Sequence, residues 1–212
     1  MHEVLEQIAQ SGVVAILRGI PSKQLVDLGQ ALIDAGVGGI EVTLNSEGAL
    51  EGIAALTKAY GRRIPVGAGT VMSGEAARAA IAAGAQFVLT PTLVEDTLAA
   101  CVELKVPAVI GTMTPTEAWK AYSMGAGMIK IFPASAVGPQ FFRELRGPLP
   151  QIPTMAVGGV NAANAGEFIK AGARAIGAGS QLVDPAAVAK NDWAAVTAKA
   201  AAMVNAVKAA RA

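Results

Sequence analysis

The feature that most constrains the fold is a repeat. Short runs rich in Val and Ile alternate with longer Ala-rich stretches, and eight such runs recur at roughly 20–26 residues, the spacing of repeated strand–helix units. The expected strands are Val13–Gly19, Gly39–Leu44, Pro65–Val71, Phe87–Pro91, Ala108–Met113, Met128–Pro133, Pro153–Gly159 and Ala175–Gly179. Intervening segments such as Ser22–Gly36, Ser73–Gly84 and Asn161–Gly172 carry apolar residues at helical spacing. Several open on Ser or Asn and close on Gly, as helix caps prefer. The endings Ala35-Gly36-Val37, Ala83-Gly84-Ala85 and Ala171-Gly172-Ala173 reuse one helix-to-strand turn. Eight units without an obvious linker favour an α/β protein with one closed parallel (β/α)8 TIM barrel, a single domain over residues 1–212. An open doubly wound sheet fits less well. Gly67-Ala68-Gly69-Thr70-Val71-Met72 begins like a dinucleotide fingerprint, but Met72 stands where the third glycine belongs. Glu3–Gln10 is expected as an extra N-terminal helix closing the barrel bottom, and Trp193–Ala212 as a final helix covering the barrel. The active site of such a barrel belongs at its C-terminal face.

Composition narrows the function classes. A hydrophobic fraction of 53% against 16% charged residues supports a large core. A formal net charge of +1 without a Lys/Arg run offers no face for nucleic acid. His2 is the single histidine, which excludes a histidine metal cluster, a Ser-His-Asp triad and a Cys-His pair. Neither a metal nor a cofactor is expected. The single cysteine, Cys101, sits in a helix-like stretch and reads as a small buried apolar residue. The start lacks a basic and an apolar signal region, and no apolar run is long enough to span a bilayer. The expectation is a soluble cytoplasmic protein without a membrane partner.

The strands carry only three charges: Arg18 ending the first, Glu41 in the second and Lys130 in the sixth. Parallel barrel strands are buried on both faces, so each ionisable group there costs several kcal/mol unless paired. In Ile40-Glu41-Val42-Thr43-Leu44, alternation separates Glu41 and Thr43 from the apolar set. In the sixth strand it separates Lys130 and Phe132 from Ile129 and Ile131. The apolar sets suit the helix layer, which leaves Glu41 and Lys130 facing the barrel axis. One reading is a structural ion pair filling the barrel. The other is chemical: burial lowers the pKa of a lysine, making a neutral amine available to attack a ketone, while a nearby carboxylate moves protons. Arg18 offers a fork for a substrate carboxylate, or else a surface-rim salt bridge.

The last two strands exit through Ala156-Val157-Gly158-Gly159-Val160-Asn161 and Gly177-Ala178-Gly179-Ser180. Barrels frequently bind phosphate there through backbone N–H groups, so Gly158, Gly159, Gly179 and Ser180 are candidate phosphate ligands. Their glycines serve tight turns alone in the simpler reading. Thr70 is expected to face the same mouth, and Phe132, on the Lys130 face, to form a pocket wall. Trp119 and Trp193 fall in expected helices and read as packing residues.

Gly39-Ile40-Glu41-Val42-Thr43-Leu44, Val66-Gly67-Ala68-Gly69-Thr70-Val71, Thr114-Pro115-Thr116-Glu117, Ile129-Lys130-Ile131-Phe132-Pro133-Ala134 and Val157-Gly158-Gly159-Val160 together resemble the bacterial 2-keto-3-deoxy-6-phosphogluconate/4-hydroxy-2-oxoglutarate aldolase family. The resemblance covers nearly the whole chain. It implies a metal-free class I aldolase, usually a homotrimer, that cleaves a phosphorylated 2-keto acid to pyruvate and an aldehyde such as glyceraldehyde 3-phosphate. It implies Lys130 as the Schiff-base residue, Glu41 as the acid/base, and Arg18 and Thr70 as holders of the pyruvyl carboxylate. Where gluconate-type members usually carry Arg after Glu-Val-Thr-Leu, this chain has Asn45-Ser46. Leu44-Asn45-Ser46, Thr90-Pro91-Thr92 and Ser135-Ala136-Val137-Gly138-Pro139-Gln140 are similar to the 2-dehydro-3-deoxy-6-phosphogalactonate branch. This adds Asn45 and Pro91 to the expected substrate contacts. The exit of the fifth strand, Gly111-Thr112-Met113-Thr114, fits that branch less closely. The alternatives are gluconate-type or 4-hydroxy-2-oxoglutarate cleavage, a sugar-phosphate epimerase or isomerase barrel, and a catalytically silent phospho-ligand-binding barrel.

Overall fold

The computed structural model describes residues 2–212. Its parallel strands close into a barrel in sequence order. They are β1 (Val13–Leu17), β2 (Gly39–Thr43), β3 (Val66–Gly69), β4 (Val88–Leu89), β5 (Ala108–Thr112), β6 (Met128–Ile131), β7 (Thr154–Val157) and β8 (Ala175–Ala178). Closure is made by β1 pairing with β8, Val13 opposite Ile176 and Ala15 opposite Ala178. The helices are α1 (Glu3–Ser11), α2 (Leu25–Asp34), α3 (Ala49–Tyr60), α4 (Gly74–Ala82), α5 (Glu95–Glu103), α6 (Pro115–Ser123), α7 (Ala134–Arg146), α8 (Ala165–Lys170), α9 (Pro185–Ala189) and α10 (Trp193–Ala209).

All eight expected strands are present, and each stops short of its apolar run. Phe87–Pro91 is paired as a strand only over Val88–Leu89. Past these rungs the chain is already turning: Thr70 adopts a left-handed φ of 57°, and the Thr90 hydroxyl accepts the Gly111 N–H at 3.0 Å. Helix starts follow capping chemistry. Ser73 accepts from the Ala76 N–H at 3.1 Å to open α4, and Thr114 with Glu117 forms a capping box at α6, where Pro115 holds the first turn. Ser22–Gln24 is a 3₁₀ turn leading into α2. Asn161 folds a turn by accepting from the Ala163 N–H at 2.9 Å, so the regular part of Asn161–Gly172 begins only at Ala165. In α7, Gly138 takes non-helical angles (φ 68°, ψ 175°) and Pro139 follows, splitting the helix.

The pleat sorts the core into two layers. Ile40, Val42, Ile129 and Ile131 pack outward against the helices. Inward, Val14, Phe87, Leu89, Val109, Met128, Met155 and Ala175 fill the lower half of the barrel. Leu5 and Ile8 of α1 complete this inner cluster from below, as the N-terminal helix was expected to do. Because both side chains are fully buried, Leu5→Ala leaves a cavity under the barrel and is expected to cost about 2–5 kcal/mol. Urea denaturation measures it; an unchanged midpoint would show that α1 is not a plug.

Cys101 is buried, and burial pushes its thiol up to about 11, consistent with an inert core residue. Trp193 packs against the core. Trp119 departs from expectation, since its ring on α6 is 49% exposed. The helix period alone placed it; it falls on the face α6 turns away from the barrel.

Candidate active site

Above the inner apolar cluster, the C-terminal end of the barrel opens into a cavity of about 420 Å³, within the ordinary range for small-molecule sites of roughly 300–1,000 Å³. Lys130 enters it from β6 and Glu41 from β2, only 5% and 1% exposed. Both reach the interior because they occupy the inward positions of strands whose alternate residues are Ile and Val. Room for the Glu41 carboxyl comes from Gly69 at the end of β3. A Cβ there would collide with Glu41 Oε1, so any side chain at this position displaces the carboxylate.

Glu41 and Lys130 share the cavity without a direct hydrogen bond or close ion pair among the described residues. Glu41 Oε2 is buried and has no hydrogen-bond partner among the described residues. A structural ion pair would satisfy both groups; here a buried carboxylate oxygen is left unsatisfied, which ordinarily costs free energy. The Lys130 Nζ stands 5.0 Å from the centroid of the half-exposed Phe132 ring, close enough for a cation–π contact whenever the amine is protonated. Burial draws the Lys130 pKa down from its ordinary value; Glu41 opposes this, and the Arg18 charge reinforces it. Burial pushes Glu41 up, with Lys130 and then Arg18 opposing. The amine is thereby biased toward its neutral, nucleophilic form and the carboxyl toward holding a proton.

Arg18, exposed just past β1, lies at the rim of the same cavity with no carboxylate in salt-bridge contact among the described residues. Pro91, Phe132, Gly158, Gly159, Gly179 and Ser180 also line it. Gly158 and Gly159 have φ of 95° and 72°, a conformation that favours glycine, and a Cβ on Gly159 would strike Ser135. The amide N–H groups of Gly159 and Ser180 find no acceptor among the described residues. Such N–H groups at a barrel mouth are suited to bind an anion.

Two expected contacts fall outside this lining. Thr70 lies beyond Gly69, and Asn45 is exposed on the loop after β2. Its neighbour Ser46 has the organising part. The Ser46 hydroxyl accepts the Gly19 N–H at 2.9 Å and shares a 3.0 Å hydrogen bond with the Thr43 hydroxyl. Thr43 Oγ1 also lies 3.3 Å from the Leu17 carbonyl oxygen. These contacts fasten the segment bearing Arg18 to the exit of β2. Gln181, also in the lining, was not anticipated; its only sequence signal is its place directly after Gly177-Ala178-Gly179-Ser180. Among the described residues no three His, Cys, Asp or Glu side chains are grouped to hold a metal ion, and no helix is long and apolar enough to cross a membrane.

A (β/α)8 barrel with a buried amine and carboxyl at its C-terminal mouth defines an α/β-barrel enzyme. Residues 4–199 match the family described as KDPG and KHG aldolase, and the chain belongs to that family. It is an aldolase, and therefore a lyase. It is 40% identical over 171 residues to the 2-dehydro-3-deoxy-6-phosphogalactonate aldolase of Escherichia coli (strain K12), covering 80% of this chain and 83% of that one. Among solved structures it is similar to one described as native KDPGal, with a TM-score of 0.88 at 36% identity, covering 94% of this chain and 95% of the other. It is also similar to a KDPG aldolase from Legionella pneumophila with pyruvate captured as a covalent carbinolamine intermediate. There the TM-score is 0.87 at 26% identity, covering 95% and 97% of the two chains.

Proposed function

We propose that this chain is a class I, Schiff-base aldolase that cleaves 2-dehydro-3-deoxy-6-phosphogalactonate to pyruvate and glyceraldehyde 3-phosphate. The observation that carries the reading is the buried Lys130 amine, its pKa pulled down, sharing one cavity with the Glu41 carboxyl, whose Oε2 has no hydrogen-bond partner among the described residues. The neutral Lys130 amine attacks the C2 carbonyl; protonated Glu41 then gives its proton to the departing hydroxyl of the carbinolamine, so that water leaves a protonated imine on Lys130 and a carboxylate on Glu41. Glu41 takes the proton of the C4 hydroxyl as the C3–C4 bond breaks. The bonding electrons pass into an enamine and the aldehyde departs. Protonation at C3 by Glu41 and hydrolysis of the imine release pyruvate and restore the amine.

Arg18 and Thr70 are assigned to the pyruvyl carboxylate, Arg18 by its position on the cavity rim and Thr70 by following Gly69 beside Glu41. Gly158, Gly159, Gly179 and Ser180 are assigned to the phosphate, supported by the unused N–H groups of Gly159 and Ser180. Phe132 and Pro91 wall the cavity, and Asn45 is assigned to the outer end of the substrate. The galactonate preference is supported by the Escherichia coli relative and by Asn45-Ser46 standing where an arginine clamp would favour a gluconate-type substrate. The same reading carries a cytoplasmic homotrimer. Exposed Met72, after β3, and Met113 and Trp119, after β5, supply apolar surface for a subunit contact.

The test is to incubate the protein with pyruvate, reduce with borohydride and map the adduct by mass spectrometry. One reduced pyruvyl group on Lys130 is expected. Its absence, or its presence on another lysine, overturns the reading. Cleavage rates for the two C4-epimeric phosphorylated sugar acids then decide the substrate.

A further inference from the structure

A cavity larger than the one at the mouth lies elsewhere in the fold. At the opposite, N-terminal end of the barrel a cleft of about 810 Å³ opens between α7, α8 and the end of the chain. Three arginines line it: Arg146 from the last turn of α7, Arg174 just before β8, and Arg211 beyond α10. No acidic residue is among its lining. Arg211 is fixed by donating to the Gln10 and Arg174 carbonyl oxygens, each at 2.7 Å. The Arg146 side chain lies across Gly172, where a Cβ would come within 3.0 Å of its Cδ. Neither the Arg146 nor the Arg174 guanidinium makes a hydrogen bond or ion pair among the described residues. By contrast, the exposed Arg78 is paired with Glu103 at 2.6 Å. Burial and the neighbouring Arg174 charge together draw the Arg211 pKa down, the mark of positive charge gathered without a counter-ion. Phe142, Leu145, Leu149 and Ile152 supply an apolar stretch of the wall, with Tyr122, Gln151 and Thr154 also in the lining.

We propose that this basal cleft is a second binding site, for a phosphorylated metabolite of about the size of a nucleoside diphosphate. Two unpaired guanidinium forks suit a pair of phosphate groups, since such contacts are bidentate and charge-assisted. The apolar stretch of the wall suits a ring-bearing body, with Gln151 and Thr154 available to its polar edges, and the volume lies within the range of small-molecule pockets, roughly 300–1,000 Å³. The cleft and the catalytic mouth lie at opposite ends of β7 and β8: Pro153, Thr154 and Arg174 at the base, Gly158, Gly159 and Gly179 at the mouth. A ligand at the base is therefore separate from the substrate.

Calorimetric titration of the intact protein with ADP and with inorganic pyrophosphate tests this, alongside an Arg146→Gln/Arg174→Gln variant. Both residues are exposed, so the fold should tolerate the change; Arg174→Lys, which keeps the charge, serves as the control. ADP is expected to bind at the base, more tightly than pyrophosphate. The double substitution should weaken this binding by about tenfold or more and leave kcat and KM for aldol cleavage unchanged. Arg174→Lys should retain most of the affinity. Equal binding by wild type and double variant overturns the proposal, as does ADP binding no tighter than pyrophosphate. Loss of ADP binding in step with cleavage also overturns it, since the ligand would then be occupying the mouth.

Discussion

Replacing Lys130 by methionine is expected to abolish cleavage and, at the same time, to make the protein more stable. The loss in kcat should be on the order of 10⁵-fold, as when a covalent nucleophile is removed from a unit whose other parts act through it. Pyruvate should leave no borohydride-trapped adduct. The gain in stability follows from burial. Lys130 stands in a strand whose neighbours are Met128, Ile129 and Ile131, all fully buried, and among the described residues it lacks a close ionic partner. Its pKa in the folded protein is depressed, so its contribution to stability is fully present above the unfolded-state pKa of lysine and is lost as pH falls through the depressed value. Over that window and below it the unfolded chain binds the proton more readily than the native one. A methionine of similar volume carries no such penalty, and a gain of about 1–4 kcal/mol at neutral pH is expected from replacing a buried ionisable group with an apolar one. Urea denaturation of both proteins measures it. Activity surviving in Lys130→Met would assign the chemistry to another group; a less stable variant would mean that Lys130 is held by interactions stronger than its burial cost.

Glu41→Gln should separate the two halves of the reaction. The amide is nearly isosteric and fits over Gly69, yet it cannot relay protons. A loss of about 10²–10⁴-fold in kcat is expected, the usual contribution of a positioned acid/base group. Trapping of pyruvate on Lys130 should persist. Its acid limb should also move to lower pH. Glu41 is the charge that raises the Lys130 pKa against burial, so removing it lowers that pKa further and frees the amine at more acidic pH. The native Glu41 pKa is itself raised. Its protonated form is favoured in the folded state, so the stability tied to it is present below the unfolded pKa of glutamate and is lost as pH rises through the raised value. Glu41→Gln should therefore gain stability relative to wild type on the alkaline side of that range. A variant that neither cleaves nor traps would place Glu41 in imine formation as well. One that cleaves at the wild-type rate would remove it from the chemistry.

The barrel and its two catalytic candidates were legible in the sequence for one reason. Strands buried on both faces must be apolar throughout, so Val/Ile runs marked the strands and Glu41 and Lys130 stood out as charges without an obvious counterweight. The exits of the strands were less legible. Pairing stops before the apolar run does, because residues such as Thr70 and Thr90 begin the loop while still being typical strand residues. Loop roles were hardest to read. Asn45 drew attention as the departure from a gluconate-type arginine, but the neighbouring Ser46 holds Gly19 and with it the Arg18 segment. The basal arginines gave no local signal at all. Positions 146, 174 and 211 are scattered along the sequence and meet only when α7, the entry to β8 and the end of α10 converge.

The plug formed by Leu5 and Ile8 bears on the order of events as well as on stability. With its floor sealed, the barrel is a blind well rather than a channel, and everything that enters must leave by the same opening. On the proposed chemistry the pyruvyl fragment is tethered to Lys130 at depth while the phosphorylated aldehyde lies toward the rim. In the proposed reaction the two products therefore queue: the aldehyde clears the opening first, and pyruvate, once hydrolysed from the lysine, follows through the space it has left.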